Sequence, residues 1–188
     1  MVSIEEAYDY VKSCLTDKRY IHTLGVISVA KKLAVKNNIS EEKAEIAALC
    51  HDIAKYVPEE EALKIIKDNN IELTQGEKAT KELWHSIIGP IVAKEKLGIS
   101  DEEILDAIRY HTTAKENMSA LEKIIYIADV IEPSRVFEGV DTIREASLES
   151  LDKGLLAALN YSIEYLLSKG SYIDLNSIKA RNYLILNK

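Results

Sequence analysis

Apolar residues recur at intervals of three and four along almost the whole chain, and no stretch alternates with the period of two of a half-buried strand. The pattern predicts an all-α protein. A first helix opens at a capping box, Ser3 with Glu6, and Ile4, Ala7, Tyr8, Val11 and Leu15 trace its apolar face. A second runs from about Asp17 to Asn37, with Ile21, Leu24, Val29, Ala30 and Leu33 turned toward a core and His22 on its length. Ser40 caps a third, whose first turn is acidic as the macrodipole favours and which carries His51 and Asp52. Pro58 takes a first-turn position in a short fourth helix.

The stretch NNIELTQGEKATKEL reads as a long loop. WHSIIGPIVAKEKLG reads as a helix opened by His85, bent at Gly89 and Pro90 and closed by Gly98. Ser100 with Glu103 forms a second capping box, ahead of Ile104, Leu105, Ala107 and Ile108, and leads to RYHTT at His111. Ser119 with Glu122 forms a third, opening LEKIIYIADVIEP, which holds Asp129 in its apolar middle and stops at Pro133. A long helix is expected over about 142–168 and a last one over about 177–186. The loop EPSRVFEGVD is the connection best suited to cover a site.

No repeat, low-complexity tract or linker divides the chain, so its 188 residues read as a single domain over 1–188. A hydrophobic fraction of 47% with 29% charged residues is ordinary globular usage. The start lacks a signal peptide's basic and long apolar regions, and no later run approaches the roughly 18 apolar residues of a membrane span. A cytoplasmic protein with no membrane partner is the expectation. Cys14 and Cys50 read as core thiols, without the spacing of a redox or zinc-finger motif. A net charge of −7 argues against a nucleic-acid polymer as partner, and the ten scattered tyrosines form no basic-aromatic platform. A small polyanion remains open, held locally by a metal and a few placed cations.

The candidate chemistry lies in four histidines, His22, His51, His85 and His111, each in an apolar context: RYIHTLGV, ALCHDIAK, ELWHSIIG and IRYHTTA. Taken singly, a histidine of this kind is usually a satisfied core or helix-end residue. Four of four, joined by Asp52 and Asp129 in apolar runs, point to one buried site that all six face. A buried carboxylate needs a compensating charge. Imidazole nitrogen with carboxylate oxygen suits Fe, Mn, Co, Ni or Zn, and a divalent ion would neutralise both aspartates.

A lone His, an adjacent His-Asp and a distant Asp, here His22, His51, Asp52 and Asp129, resemble the pattern of the HD-domain metal-dependent phosphohydrolases. More narrowly, HTLGVISVA, HDIAK, WHSIIGPIVA, IRYHTT and IADVIEPSR resemble the YqeK group of symmetrical bis(5′-nucleosyl)-tetraphosphatases, over about residues 16–175. The resemblance implies an HD-domain helical bundle with a metal-binding core over about 16–135 and C-terminal helices packed on it. It implies one iron bound by His22, His51, Asp52 and Asp129. It implies a nucleotide polyphosphate contacted by His85, His111, Thr112, Asp129 and Arg135, with Lys169, Gly170, Ser171, Tyr172 and Ile173 near the base. The reaction would be cleavage of diadenosine tetraphosphate into two ADP-like or GDP-like diphosphates.

On chemical grounds Asp52 and Asp129 are ligands first, one of them also orienting water, and His85 or His111 is the proton donor or phosphate contact. A second metal at His85 and His111 is the competing account of those two rings. Arg135 is the specific cation for phosphate, against a surface pair with Glu132 or Glu138. Arg109 reads as a solvent partner of Asp106, Lys55 as an ion-pair partner of Asp52 either behind the metal ligands or on the helix surface, and Lys18 and Arg19 as a solvated helix start, with Arg19 on the face of His22 and able to approach the site. Trp84 stacks a base or belongs to the core. Rival functions are a diiron oxygenase on the same scaffold, a nucleotidase or cyclic-dinucleotide phosphodiesterase, and a non-catalytic nucleotide sensor. Apolar positions on the last two helices would serve a homodimer.

Overall fold

The computed structural model describes residues 2–187. Among them the helices are α1 (Ile4–Cys14), α2 (Asp17–Lys36), α3 (Glu41–Cys50), α4 (Glu59–Asp68), α5 (Gln75–Ala79), α6 (Trp84–Leu97), α7 (Glu102–Tyr110), α8 (Ala120–Ile131), α9 (Val140–Glu149), α10 (Leu151–Ser168) and α11 (Leu175–Leu186). The all-α expectation holds, with no strand among the described residues. The capping boxes at Ser3 and Ser119 form as expected, and Gly98 closes α6 at φ 67, where a side chain would be strained.

The centre of the bundle is α8, apolar nearly all round, with Leu121, Ile124, Ile125 and Ile127 fully buried. It packs against α2, α7 and α10, while α3 lies on α2 and α7, and α6 on α7. Gly89 lets α6 come close to α7, since a Cβ there would stand 3.0 Å from Ile108 Cγ2. Leu155, Ala158, Leu159, Ala180 and Leu184 carry α10 and α11 into the same hydrophobic cluster as α8.

Several expectations require correction. On α2, Ile21 is 64% and Leu24 42% exposed, while His22, Thr23, Val26 and Ile27 are buried. The helix turns a polar pair inward because its inner face serves the site as well as the core. The 69–83 stretch contains α5 and a 3₁₀ turn (Lys81–Leu83), nucleated by a capping box at Thr74 and Glu77. His51 and Asp52 lie just beyond α3, with His51 its C-cap, in a turn whose amides close onto carbonyls three residues back. Pro58 is the N-cap of α4. Asp101 caps α7 in place of Ser100, its carboxylate accepting from Glu103 N at 3.0 Å. The long 142–168 helix is two, broken at Ser150, whose extended backbone and hydroxyl cap α10. Cys50 is buried as expected; Cys14 is only partly so.

Candidate metal centre

The four imidazoles form one row. Ring centroids are 5.5 Å apart for His22 and His51, 5.1 Å for His51 and His111, and 5.1 Å for His111 and His85. All four rings are buried, as is Asp52, which stands within the row, while Asp129 is half-buried beside His22. The six residues drawn together from sequence are thus brought to one place by α2, the turns after α3 and α7, the start of α6, and α8.

Three of the rings obey one local rule. Nδ1 lies 2.7 Å from the carbonyl oxygen three residues earlier: Ala48 for His51, Glu82 for His85 and Ile108 for His111. His51 and His111 are the C-caps of α3 and α7, where the last carbonyls have no partner within the helix. A carbonyl only accepts, so Nδ1 carries the proton and Nε2 is left as a lone pair. His22 sits inside α2, where such carbonyls are already taken, and its Nδ1 faces Glu132 Oε1 at 3.0 Å.

Nε2 of His22 and Nε2 of His51 are buried without a hydrogen-bond partner. His22 Nε2 is 3.0 Å from Asp129 Oδ1 but not in hydrogen-bonding alignment, and His51 Nε2 is 3.3 Å from Asp52 Oδ2. At the other end, Nε2 of His85 and Nε2 of His111 approach to 3.2 Å, with Asp52 Oδ1 at 3.1 and 3.8 Å from them. Lone pairs left bare among carboxylate oxygens are what a divalent cation requires. The donors fall into two groups, each within 4.8 Å: His22, His51 and Asp129, and Asp52, His85 and His111. Asp52 touches both. The C-terminal ends of α3, α7 and α8 all finish here, adding the negative ends of three helix dipoles.

Burial pushes both carboxyls up, yet His51, His85 and Lys55 hold Asp52 well below the usual carboxylate range, and His22, His51 and Arg135 do the same for Asp129. Burial lowers His85, with the Lys55 ammonium adding, and pushes His111 down to about 3, with His51 and His85 adding. Burial opposes charge on His51 as well, but the Asp52 and Asp129 carboxylates raise it on balance. At neutral pH both aspartates are therefore ionised, and His85 and His111 are neutral.

Cations surround the acids. Arg19 Nη1 is 3.0 Å from Asp52 Oδ2, and Lys55 Nζ is 3.7 Å from Asp52 Oδ1 and 3.3 Å from His85 Nε2. Arg19 is nearer the centre than a solvated helix start, while Lys55 takes the partner its spacing indicated, Asp52. Arg135 donates from Nη2 to Asp129 Oδ1 at 2.8 Å and from Nε to the Asp129 carbonyl at 3.0 Å, with Glu132 at 3.9 Å. A cleft of about 500 Å³ opens beside this end, lined by Lys18, Arg19, His22, Tyr56, Arg135 and Phe137. The 132–139 loop therefore does border the site.

Thr112 donates its hydroxyl to Ser86 Oγ at 2.9 Å, tying the His111 turn to α6. Lys169, Gly170, Ser171, Tyr172 and Ile173 lie between α10 and α11, and no hydrogen bond among the described residues links them to the imidazoles. Tyr172 packs against Gly76, and the Ser177 hydroxyl donates to the Thr113 carbonyl just below. Trp84 is buried and donates to the Glu77 carbonyl at 2.6 Å; Arg109 pairs with the Glu77 carboxylate at 2.7 Å, leaving Asp106 to Lys115. Sequence reasoning missed Glu132, which is 1% exposed. Its signal was an acid at the end of the same apolar run that holds Asp129 in its middle.

The comparisons agree with this geometry. Residues 19–134 match the HD domain family. The symmetrical bis(5′-nucleosyl)-tetraphosphatase of Bacillus subtilis (strain 168) is 40% identical over 96% of this chain and 97% of its own. That of Halalkalibacterium halodurans is 38% identical over 97% of each. A crystal structure of a predicted HD superfamily hydrolase involved in NAD metabolism, from Clostridium acetobutylicum, superposes with a TM-score of 0.96 at 46% identity over the whole of both chains. The chain belongs to the HD-domain family, and within it to the group that contains the symmetrical bis(5′-nucleosyl)-tetraphosphatases. A divalent metal goes with that family, and the donor set described above fits one.

Proposed function

We propose that the chain is a metal-dependent hydrolase that cleaves dinucleoside tetraphosphates, diadenosine tetraphosphate among them, symmetrically into two nucleoside diphosphates. The observation that carries this reading is the row of imidazole Nε2 lone pairs facing two ionised aspartates, in a chain 40% identical to a symmetrical tetraphosphatase. His22, His51, Asp52 and Asp129 hold an iron-type ion, with Mn, Co, Ni or Zn compatible with the same donors. When bound, such an ion neutralises phosphate charge, polarises a phosphoryl oxygen and makes water acidic enough to attack near neutral pH.

The chain supplies the rest. Asp52 accepts a hydrogen bond from the attacking water and turns it toward one of the two inner phosphorus atoms. The new P–O bond forms there as the bond to the central bridging oxygen breaks, and that oxygen departs on the second diphosphate. Arg135 and Lys18, which line the cleft, meet the charge on the phosphate chain. The approach of His85 Nε2 and His111 Nε2 to 3.2 Å beside Asp52, with each ring's Nδ1 given to a carbonyl, supports a second ion there. The whole chain acts as one cytoplasmic domain with α9 to α11 packed on the metal-binding core. Leu167, Leu175 and Leu186, all exposed, give a homodimer its apolar contacts.

The test is metal quantification alongside chromatography of the products from diadenosine tetraphosphate. Two molecules of ADP and no ATP or AMP are expected, with turnover abolished by a chelator and no oxygen consumed. Formation of ATP with AMP, or turnover indifferent to the chelator, would reject the reading.

A further inference from the structure

We infer that Glu132 is a positioning residue for the metal: it fixes the His22 ring so that Nε2 presents its lone pair to the ion. The inference rests on the metal centre of the proposed function and not on the identity of the substrate.

The need for Glu132 comes from where His22 stands. His51, His85 and His111 turn Nδ1 to a carbonyl three residues back, an option open at helix ends. His22 is the sixth residue of a 20-residue helix, and the carbonyl three residues before it, on Arg19, is engaged by the helix and by the Thr23 hydroxyl at 3.1 Å. An acceptor must therefore come from another element. Glu132, the C-cap of α8, supplies it, with Oε1 at 3.0 Å from His22 Nδ1.

The carboxylate is itself tied down. Ser134 donates to it from its backbone N at 2.7 Å and from its hydroxyl, and Arg135 Nε stands 3.9 Å away. At 1% exposure its orientation is not left to solvent. Gly25, one turn along α2 from His22, makes the room: a Cβ there would stand 2.5 Å from Glu132 Oε2 and 3.3 Å from Cδ. A glycine inside a long helix is costly, and here it admits a buried carboxylate. A carboxylate also makes the opposite imidazole nitrogen a stronger donor than a carbonyl does, and such partners are typically worth about 10- to 100-fold in metal affinity.

The experiment measures affinity for Co²⁺ by competition with a chelator, and follows the visible spectrum of the bound ion, in the full chain and in Glu132→Gln and Gly25→Ala. Both variants are expected to bind Co²⁺ about 10- to 100-fold more weakly with an altered visible spectrum. Their metal-free melting temperatures should stay within a few degrees of the wild-type value, the helix propensity that alanine adds in Gly25→Ala offsetting the cost of displacing the Glu132 carboxylate. Wild-type affinity and spectrum in both variants would overturn the inference. So would a fall in metal-free melting temperature large enough to account for the lost affinity in both, since Glu132 would then act on the fold and not on the ring. Should the wild-type chain take up no Co²⁺, the metal centre itself fails, an outcome distinct from either.

Discussion

On the Asp129 side of the row, His22 leans on a carboxylate brought from another helix. On the Asp52 side, His85 and His111 each lean on a carbonyl of their own segment. The first arrangement exists only when α2 has docked on the end of α8; the second is set as soon as the local turns form. The halves also differ in their free nitrogens. His22 and His51 keep Nε2 without a partner, whereas His85 and His111 bring theirs to 3.2 Å of one another. A centre of this kind combines a donor set dependent on tertiary packing with one dependent on helix ends, and Asp52 joins them.

The largest expected effect follows from that junction. Asp52→Ala removes the one carboxylate shared by both halves, and should lower kcat on the order of 10³-fold, with loss of metal by elemental analysis. Full turnover with the metal retained would separate Asp52 from the centre altogether. Next, His111→Ala sharpens the comparison by emptying one half. The expected result is one fewer metal ion per chain than wild type and a slower enzyme whose remaining ion is still removed by His22→Ala. Equal metal content in wild type and His111→Ala would leave a mononuclear site with His111 on the substrate.

The smallest effect lies behind the Asp52 side. Glu77 anchors the segment before His85, taking Arg109 on its carboxylate and Trp84 on its carbonyl. Glu77→Gln should cost about 1–2 kcal/mol of stability at pH 7 in denaturant titrations. Burial pushes the Glu77 carboxyl up, but the Thr74 amide and Arg109 hold it below its ordinary value. A lowered folded-state value means that its contribution is present above the unfolded value of about 4.3 and is lost as pH falls through the folded one. The gap between wild type and variant should therefore close on acidification below about pH 4.3. A gap that persists unchanged at low pH would mean that the charge on Glu77 is immaterial.

Much of this was legible beforehand because burying a titratable group leaves a mark in sequence. The four histidines and two aspartates each interrupt an apolar run, and the helix that carries Asp129 was bounded by its own capping box and Pro133. What could not be read was rotation and partnership. On α2 apolar periodicity assigned Ile21 and Leu24 inward, but the helix faces both a core and a polar centre, and His22 with Thr23 took the inner positions. Arg19 looked like a surface charge because its partner, Asp52, is contributed by a turn whose place depends on the packing of α3. Ser150 looked helical within an apolar pattern that continues across it; only the folding of α9 back on α10 marks it as an end.

That reversal at Ser150 also fixes the length of the chain there. One extended residue, at φ −161 and ψ 158, connects α9 to α10, and a Cβ on Gly154 would stand 2.5 Å from Ser147 Oγ. The corner has no slack. An extra residue at this point would force two interlocked rods apart, whereas the stretch after Pro133, where Val136 is 91% exposed, has solvent into which to bulge. An insertion at Ser150 is thus refused by geometry, whereas one beside Val136 finds room but lies between Arg135 and Phe137 on the rim of the cleft.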